Sequence, residues 1–180
     1  MQKRPQPRAQ RGLSLVEVMT AITIAAILGT GAAPSLKRLF EARRLDGLAT
    51  QLAGDIHATR AEAIARNQTL RLSLHADASG GCWVMHSGNA DQCSCGATGA
   101  AVCTAGAESI KTVRWSAAEG VLVSGNVAAI GFDAMHGTAT PAGTWRVTAS
   151  DGRAVHHVVN VMGRLRSCSP QGAVPGFRAC

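Results

Sequence analysis

Two stretches of this chain carry residue types at spacings that can do chemistry. The first lies near the N-terminus, in RGLSLVEVMTAITIAAILGTGAAP, where Gly12 precedes Leu13 and Glu17 follows four positions on. If the chain is cut between Gly12 and Leu13, Leu13 gains a free, positively charged amine. Leu13 and Glu17 then stand one helical turn apart, so the carboxylate can meet that amine or the amine of a neighbouring subunit. The second stretch is Gly163-Arg164-Leu165-Arg166. In an extended segment the two guanidinium groups project to one side, ~7 Å apart, close to the phosphate repeat along one DNA strand. Arginine suits that task because its planar fork matches phosphate oxygens. Gly163 lets the backbone turn or approach a neighbour closely. After Asp133 the cations Arg146, Arg153, Arg164, Arg166 and Arg178 are opposed only by Asp151.

Other polar residues form no constellation. His57, His75, His86, His136, His156 and His157 are scattered, with neither an HExxH nor a G-x-S-x-G spacing among them. His156 and His157 are adjacent on an expected strand, so they face opposite ways and cannot clamp one metal. Trp83, Trp115 and Trp145 also fall in expected strands, where core burial is the default. The chain has no tyrosine and three phenylalanines, which argues against a base-stacking platform. No catalytic residue, metal or cofactor is expected, and the chain does not read as an enzyme.

Six cysteines, Cys82, Cys93, Cys95, Cys103, Cys168 and Cys180, are an even set that favours disulfides in an oxidising compartment. Cys168 and Cys180 are plausible partners closing the C-terminal tail, which leaves four to staple the segment from Cys82 to Cys103. A zinc site from Cys93, Cys95 and Cys103 with a nearby histidine is the rival, but C-x-C with a third cysteine eight residues on matches no common zinc spacing.

The elements that must position these residues follow from periodicity. From Val18 to Leu36 the chain is uncharged and mostly apolar, long enough as a helix to cross a ~30 Å hydrocarbon core. Glu17 is costly near such a segment and marks a partner or a function. Gly29, Gly31 and Pro34 should loosen or kink this half. Beyond it Leu45, Leu48, Leu52, Ile56 and Ala63 fall on one helical face. A helix continuous from Leu13 to Asn67 would run ~80 Å, half membrane anchor and half spine. Thr69 to His75 alternates strictly, with Leu70, Leu72 and Leu74 on one face. Further strands are expected at 82–87, 111–116, 121–124, 130–132, 145–150 and 154–161, the last two joined by Asp151-Gly152, a strong hairpin signal. Residues 88–106, rich in Gly, Ala and Cys, read as a disulfide-pinned loop. The fold class is α+β, a long helix packed on an antiparallel β head.

The net charge of +7 is concentrated in residues 1–12, where Lys3, Arg4, Arg8 and Arg11 meet no acid. The rest carries 14 basic against 11 acidic side chains. A positive N-terminal segment stays cytoplasmic and sends the C-terminal part outward. An ordinary secretory signal would share the basic start and apolar run, but a glutamate inside that run and the lack of an A-x-A site argue against it. A plain anchor explains the length and not the pairing of Gly12 with Glu17.

The basic leader, Gly12-Leu13-Ser14-Leu15-Val16-Glu17, the apolar run and Pro34 together resemble the class III signal of type IV pilins and type II secretion pseudopilins. The family usually begins its mature chain with Phe, where this sequence has Leu13. Within it, residues Thr59-Arg60-Ala61-Glu62-Ala63-Ile64-Ala65-Arg66-Asn67-Gln68 with the strand after them, Gly131-Phe132-Asp133, and Gly163-Arg164-Leu165-Arg166 are similar to the GspH/FimT branch. The resemblance implies a leader at 1–12, cut after Gly12 by a prepilin peptidase that methylates the Leu13 amine. It implies a transmembrane and filament-core helix at 13–35, with Glu17 and Pro34 in assembly, and an exported head at 36–180 whose helix runs to about 67. Its partners would be other pilins or pseudopilins through the N-terminal helix. The location implied is the inner membrane, single-pass with the head in the periplasm, and then the pilus or pseudopilus. A FimT-like minor pilin implies binding of double-stranded DNA in natural transformation, with Gly163, Arg164 and Arg166 matching a G-R-x-R motif and Arg146, Arg153 and Arg178 nearby in sequence. The alternative is a GspH-like minor pseudopilin with a structural, protein-binding role in type II secretion.

Overall fold

The computed structural model describes residues 14–96, 99–104 and 106–180; of residues 28–35, 37 and 38 it describes the backbone alone. Gly12 and Leu13 lie outside these residues. Among the described residues one α-helix, α1 (Leu15–Ala65), is followed by eleven strands. The chain divides into two units, Met1–Arg38 and Leu39–Cys180, and α1 contributes to both.

In the first unit α1 opens on Ser14, whose Oγ accepts the backbone N–H of Glu17 at 3.2 Å. Ser14-Leu15-Val16-Glu17 is thus a Ser-x-x-Glu start, with the acid in the first turn where the helix dipole favours it. The helix is continuous across Gly29, Gly31 and Pro34, so these residues do not interrupt it. Leu15, Val16, Met19, Ile22 and Ile27 are exposed. Among the described residues no helix is long and apolar enough to cross a membrane.

The second unit buries the spine. Leu45, Ala49, Leu52, Ile56, Thr59 and Ala63 are 0–1% exposed, in steps of four and three that make a single stripe. Leu48 lies beside the stripe, half-buried, and Ala49 takes the core position. The strands are β1 (Leu70–Asp77), β2 (Gly80–Ser87), β3 (Cys93–Cys95), β4 (Ala101–Cys103), β5 (Ser109–Ser116), β6 (Val121–Gly125), β7 (Ala129–Phe132), β8 (Ala139–Thr140), β9 (Gly143–Ala149), β10 (Ala154–Val159) and β11 (Leu165–Cys168). They form three antiparallel sheets ordered β5-β2-β1-β7-β8, β11-β10-β9-β6 and β3-β4.

One core joins α1 to both larger sheets. It takes Leu70, Leu72 and Leu74 from β1, Trp83 and Met85 from β2, Trp115 from β5, and Trp145 and Val147 from β9. Trp83 and Trp115 stack with centroids 5.4 Å apart, a preferred offset arrangement. The opposite face of β1 and β2 is covered as well. There Cys82, Val84 and Cys93 pack as a second cluster, Ser73 Oγ bonds His86 Nε2 at 2.7 Å, and His75 Nε2 bonds the Cys93 carbonyl at 2.9 Å. The segment read as a loop therefore contains a small hairpin, β3–β4, seated on the sheet. Its cysteines are joined Cys82–Cys95 and Cys93–Cys103, and the tail is closed by Cys168–Cys180. With their sulfurs in disulfides, these cysteines hold no thiolate for zinc.

Candidate functional site

The outward arginines are positioned by the turn that links β10 to β11. Asn160 holds it from both ends: its N–H donates to the Arg164 carbonyl at 3.2 Å, its carbonyl accepts from Gly163 N–H at 2.9 Å, and its side-chain Oδ1 accepts from Arg164 N–H at 2.9 Å. Gly163 is buried at φ +70°, and a Cβ there would fall against the Gly137 carbonyl. That carbonyl accepts Arg60 Nε at 2.9 Å, which ties the turn to α1. The glycine of the G-R-x-R segment is thus needed for the backbone's path and is not itself open to a ligand.

From this turn β11 runs as the edge strand of its sheet. Leu165 packs against the core while Arg164 and Arg166 are exposed, as alternation demands. An open cleft of about 560 Å³ is lined by Val158, Asn160, Arg164, Leu165 and Arg166. Among the described residues no ion pair engages either arginine.

The other arginines distribute differently from their closeness in sequence. Arg146 pairs with His156, and His156 with Cys168, so Arg146 shares the outer face with Arg166, two strands away or ~10 Å across the sheet. His156 lies between Arg146 and Cys168, while Arg166 stands opposite Val158; desolvation, and then the charge of Arg146, hold the His156 pKa below the usual value. It adds shape and no lasting charge to the row at neutral pH. Arg153 lies at the far end of β10 from Arg164, with Nε 2.7 Å and Nη2 2.6 Å from Asp151 Oδ2. The hydrogen bond that Arg153 donates to Asp151 raises the Arg153 pKa and lowers that of Asp151. Arg178 follows in the tail, its carbonyl accepting from Ser169 N–H at 2.8 Å beyond the Cys168 end of β11. The exposed row is therefore Arg164, Arg166 and Arg146; Arg153 is neutralised elsewhere.

Three features escaped the reading by pattern. Ser14 was legible as a Ser-x-x-Glu helix start. The Arg146–His156 pairing follows by counting outward from Asp151-Gly152, whose Gly152 has φ +87°. Asn160 had a weaker signal, an Asn ahead of a glycine at a strand end.

Residues 48–163 match the family model described as type II transport protein GspH, and residues 7–33 match the prokaryotic N-terminal methylation motif. The second match spans Gly12, Leu13 and Glu17. The first stops at Gly163, so Arg164 and Arg166 lie beyond it. No curated protein sequence matches the chain. Among solved structures, the type IV minor pilin FimU of Pseudomonas aeruginosa is similar, with a TM-score of 0.55 at 16% identity over 74% of this chain and 97% of that one. At that identity the likeness is one of fold.

Proposed function

Since the chain belongs to the GspH family of type II transport proteins and carries the pilin N-terminal methylation motif, we propose that it is a FimT-like minor type IV pilin whose head grips double-stranded DNA in natural transformation. The observation that carries this reading is the arginine pair: Arg164 and Arg166 stand on one face of an edge strand, without carboxylate partners among the described residues, beside a turn locked by Asn160 and Gly163. Such contacts carry no base information, so binding is independent of sequence. Few phosphates are reached, so a single head binds weakly and several subunits together bind more tightly.

The test uses the full chain in neutral detergent. Binding to a labelled duplex falls steeply between ~50 and ~200 mM salt as counterions are released. Changing Arg164→Gln with Arg166→Gln weakens it by about tenfold or more and flattens the salt slope by about two. Arg43→Gln with Arg44→Gln removes the same charge from α1 and leaves binding nearly intact. Equal weakening by both pairs would reduce the site to net charge.

A second reading is favoured by the match to the GspH model itself: a minor pseudopilin that binds protein partners in type II secretion. Absence of any binding to DNA at low salt selects it.

Both readings share one maturation. A prepilin peptidase cuts after Gly12 and methylates Leu13, the helix at 13–35 anchors the chain in the inner membrane with its head in the periplasm, and Glu17 pairs with the Leu13 amine of a neighbour during assembly. Intact mass then begins at methylated Leu13. Glu17→Ala leaves insertion unchanged or improved, because a costly carboxylate is gone, and lowers recovery in sheared filaments several-fold. Recovery equal to wild type would remove the pairing role.

A further inference from the structure

The turn that carries the arginine pair also exposes Val161 and Met162, at 62% and 64%. The chain cannot easily draw them inward. Asn160 fixes both ends of the turn, Ala139 N–H donates to the Val161 carbonyl at 2.9 Å, and buried Gly163 has no room for displacement. Two bulky apolar side chains are thus held in water on a rigid support, directly before two cations that have no ion-pair partner among the described residues.

The size and charge of this tip choose its occupant. Two side chains fall far short of the ~800 Å² that each partner commits to a stable protein interface. They are of the apolar kind that proteins push between base pairs from the minor groove, with arginine alongside. Resting on the DNA reading above, we infer that Val161 and Met162 enter the base stack while Arg164 and Arg166 hold the flanking phosphates. Methionine suits the role, because its flexible thioether fills irregular gaps. Entry requires unstacking, which is least costly where stacking is already broken. The preferred ligand is therefore duplex DNA interrupted by a mismatch or at a flexible pyrimidine–purine step.

The test is fluorescence anisotropy at low salt, with the full chain in neutral detergent and two short labelled duplexes differing by one central mismatch. Wild type is expected to bind the mismatched duplex about fivefold more tightly. Val161→Ser with Met162→Ser binds both duplexes alike, near the wild-type affinity for the intact one, whereas Met162→Leu keeps the discrimination. Equal wild-type affinity for the two duplexes, with Arg164 and Arg166 still required, overturns the wedge and leaves the DNA reading standing. Discrimination that survives in the double serine variant overturns it as well. Binding to neither duplex removes the DNA reading and the wedge together. A double serine variant that keeps its mismatch preference but no longer enters pilus fibres assigns the tip to a neighbouring subunit.

Discussion

Asp55→Ala is expected to destabilise the head by ~3 kcal/mol, at the lower end of the range for breaking a buried charged pair. Asp55 is 3% exposed on α1. Its Oδ2 accepts Trp83 Nε1 at 2.8 Å and its Oδ1 accepts Lys111 Nζ at 2.6 Å, so one carboxylate ties the helix to β2 and β5. Removing it leaves the indole N–H without a partner in the core, where an unmade hydrogen bond is costly. Lys111 is half-exposed and can turn its ammonium to water, which keeps the loss from being larger. Asp55→Asn retains an acceptor for Trp83 and should cost about half as much. Urea unfolding followed by tryptophan fluorescence reports both, since Trp83 and Trp115 are stacked beside the break. A loss below ~1 kcal/mol in the alanine variant would show that the contact holds little of the fold.

Acid is expected to weaken the same core through His157. This residue is 0% exposed on β10, its Nδ1 2.8 Å from Ser167 Oγ, while Nε2 faces the backbone of Ala49 without a well-formed hydrogen bond. Burial pushes its pKa down from 6.5 to about 4, and the neighbouring charge of His156 acts the same way. The folded state thus prefers neutral imidazole, whereas the unfolded chain takes a proton near pH 6.5. Stability from this group is fully present above that pH and is lost as pH falls towards about 4, a change of ~3 kcal/mol in all. His86, also held below its usual pKa by burial, adds in the same direction. His157→Leu should flatten the slope of unfolding free energy against pH between pH 6.5 and pH 4.5 by up to ~1.4 kcal/mol per pH unit. A slope unchanged in that variant would mean that the proton is taken up elsewhere.

The two effects meet on one helix. Asp55 binds α1 to the five-stranded sheet, and His157 touches α1 at Ala49 from the four-stranded sheet, with Ser167 of β11 behind it. The strand that presents Arg166 is thereby braced through a buried histidine, which links the stability of the core to the placement of the surface arginines.

Much of the framework is local, and local features were legible. The spine repeats by threes and fours, Leu70, Leu72 and Leu74 alternate, and Asp151-Gly152 turns a hairpin; each is a short-range periodicity or a backbone preference of the residues themselves. The sequence by itself therefore determined the α+β order of elements, the helix and most strands. It also placed Arg164 and Arg166 on one side of an extended segment, because that follows from two-residue alternation alone. What remained for the tertiary structure was the choice of partners distant along the chain. Cys82 takes Cys95 and Cys93 takes Cys103, since the small hairpin must cover the outer face of β1 and β2, a demand no spacing expresses. Arg153, counted with the cationic cluster, turns to Asp151 at the other end of β10, while Arg146 joins Arg166 through strand register. Asp55 and His157 look like ordinary polar residues in the sequence; burial makes them structural, and burial is a property of the packed whole.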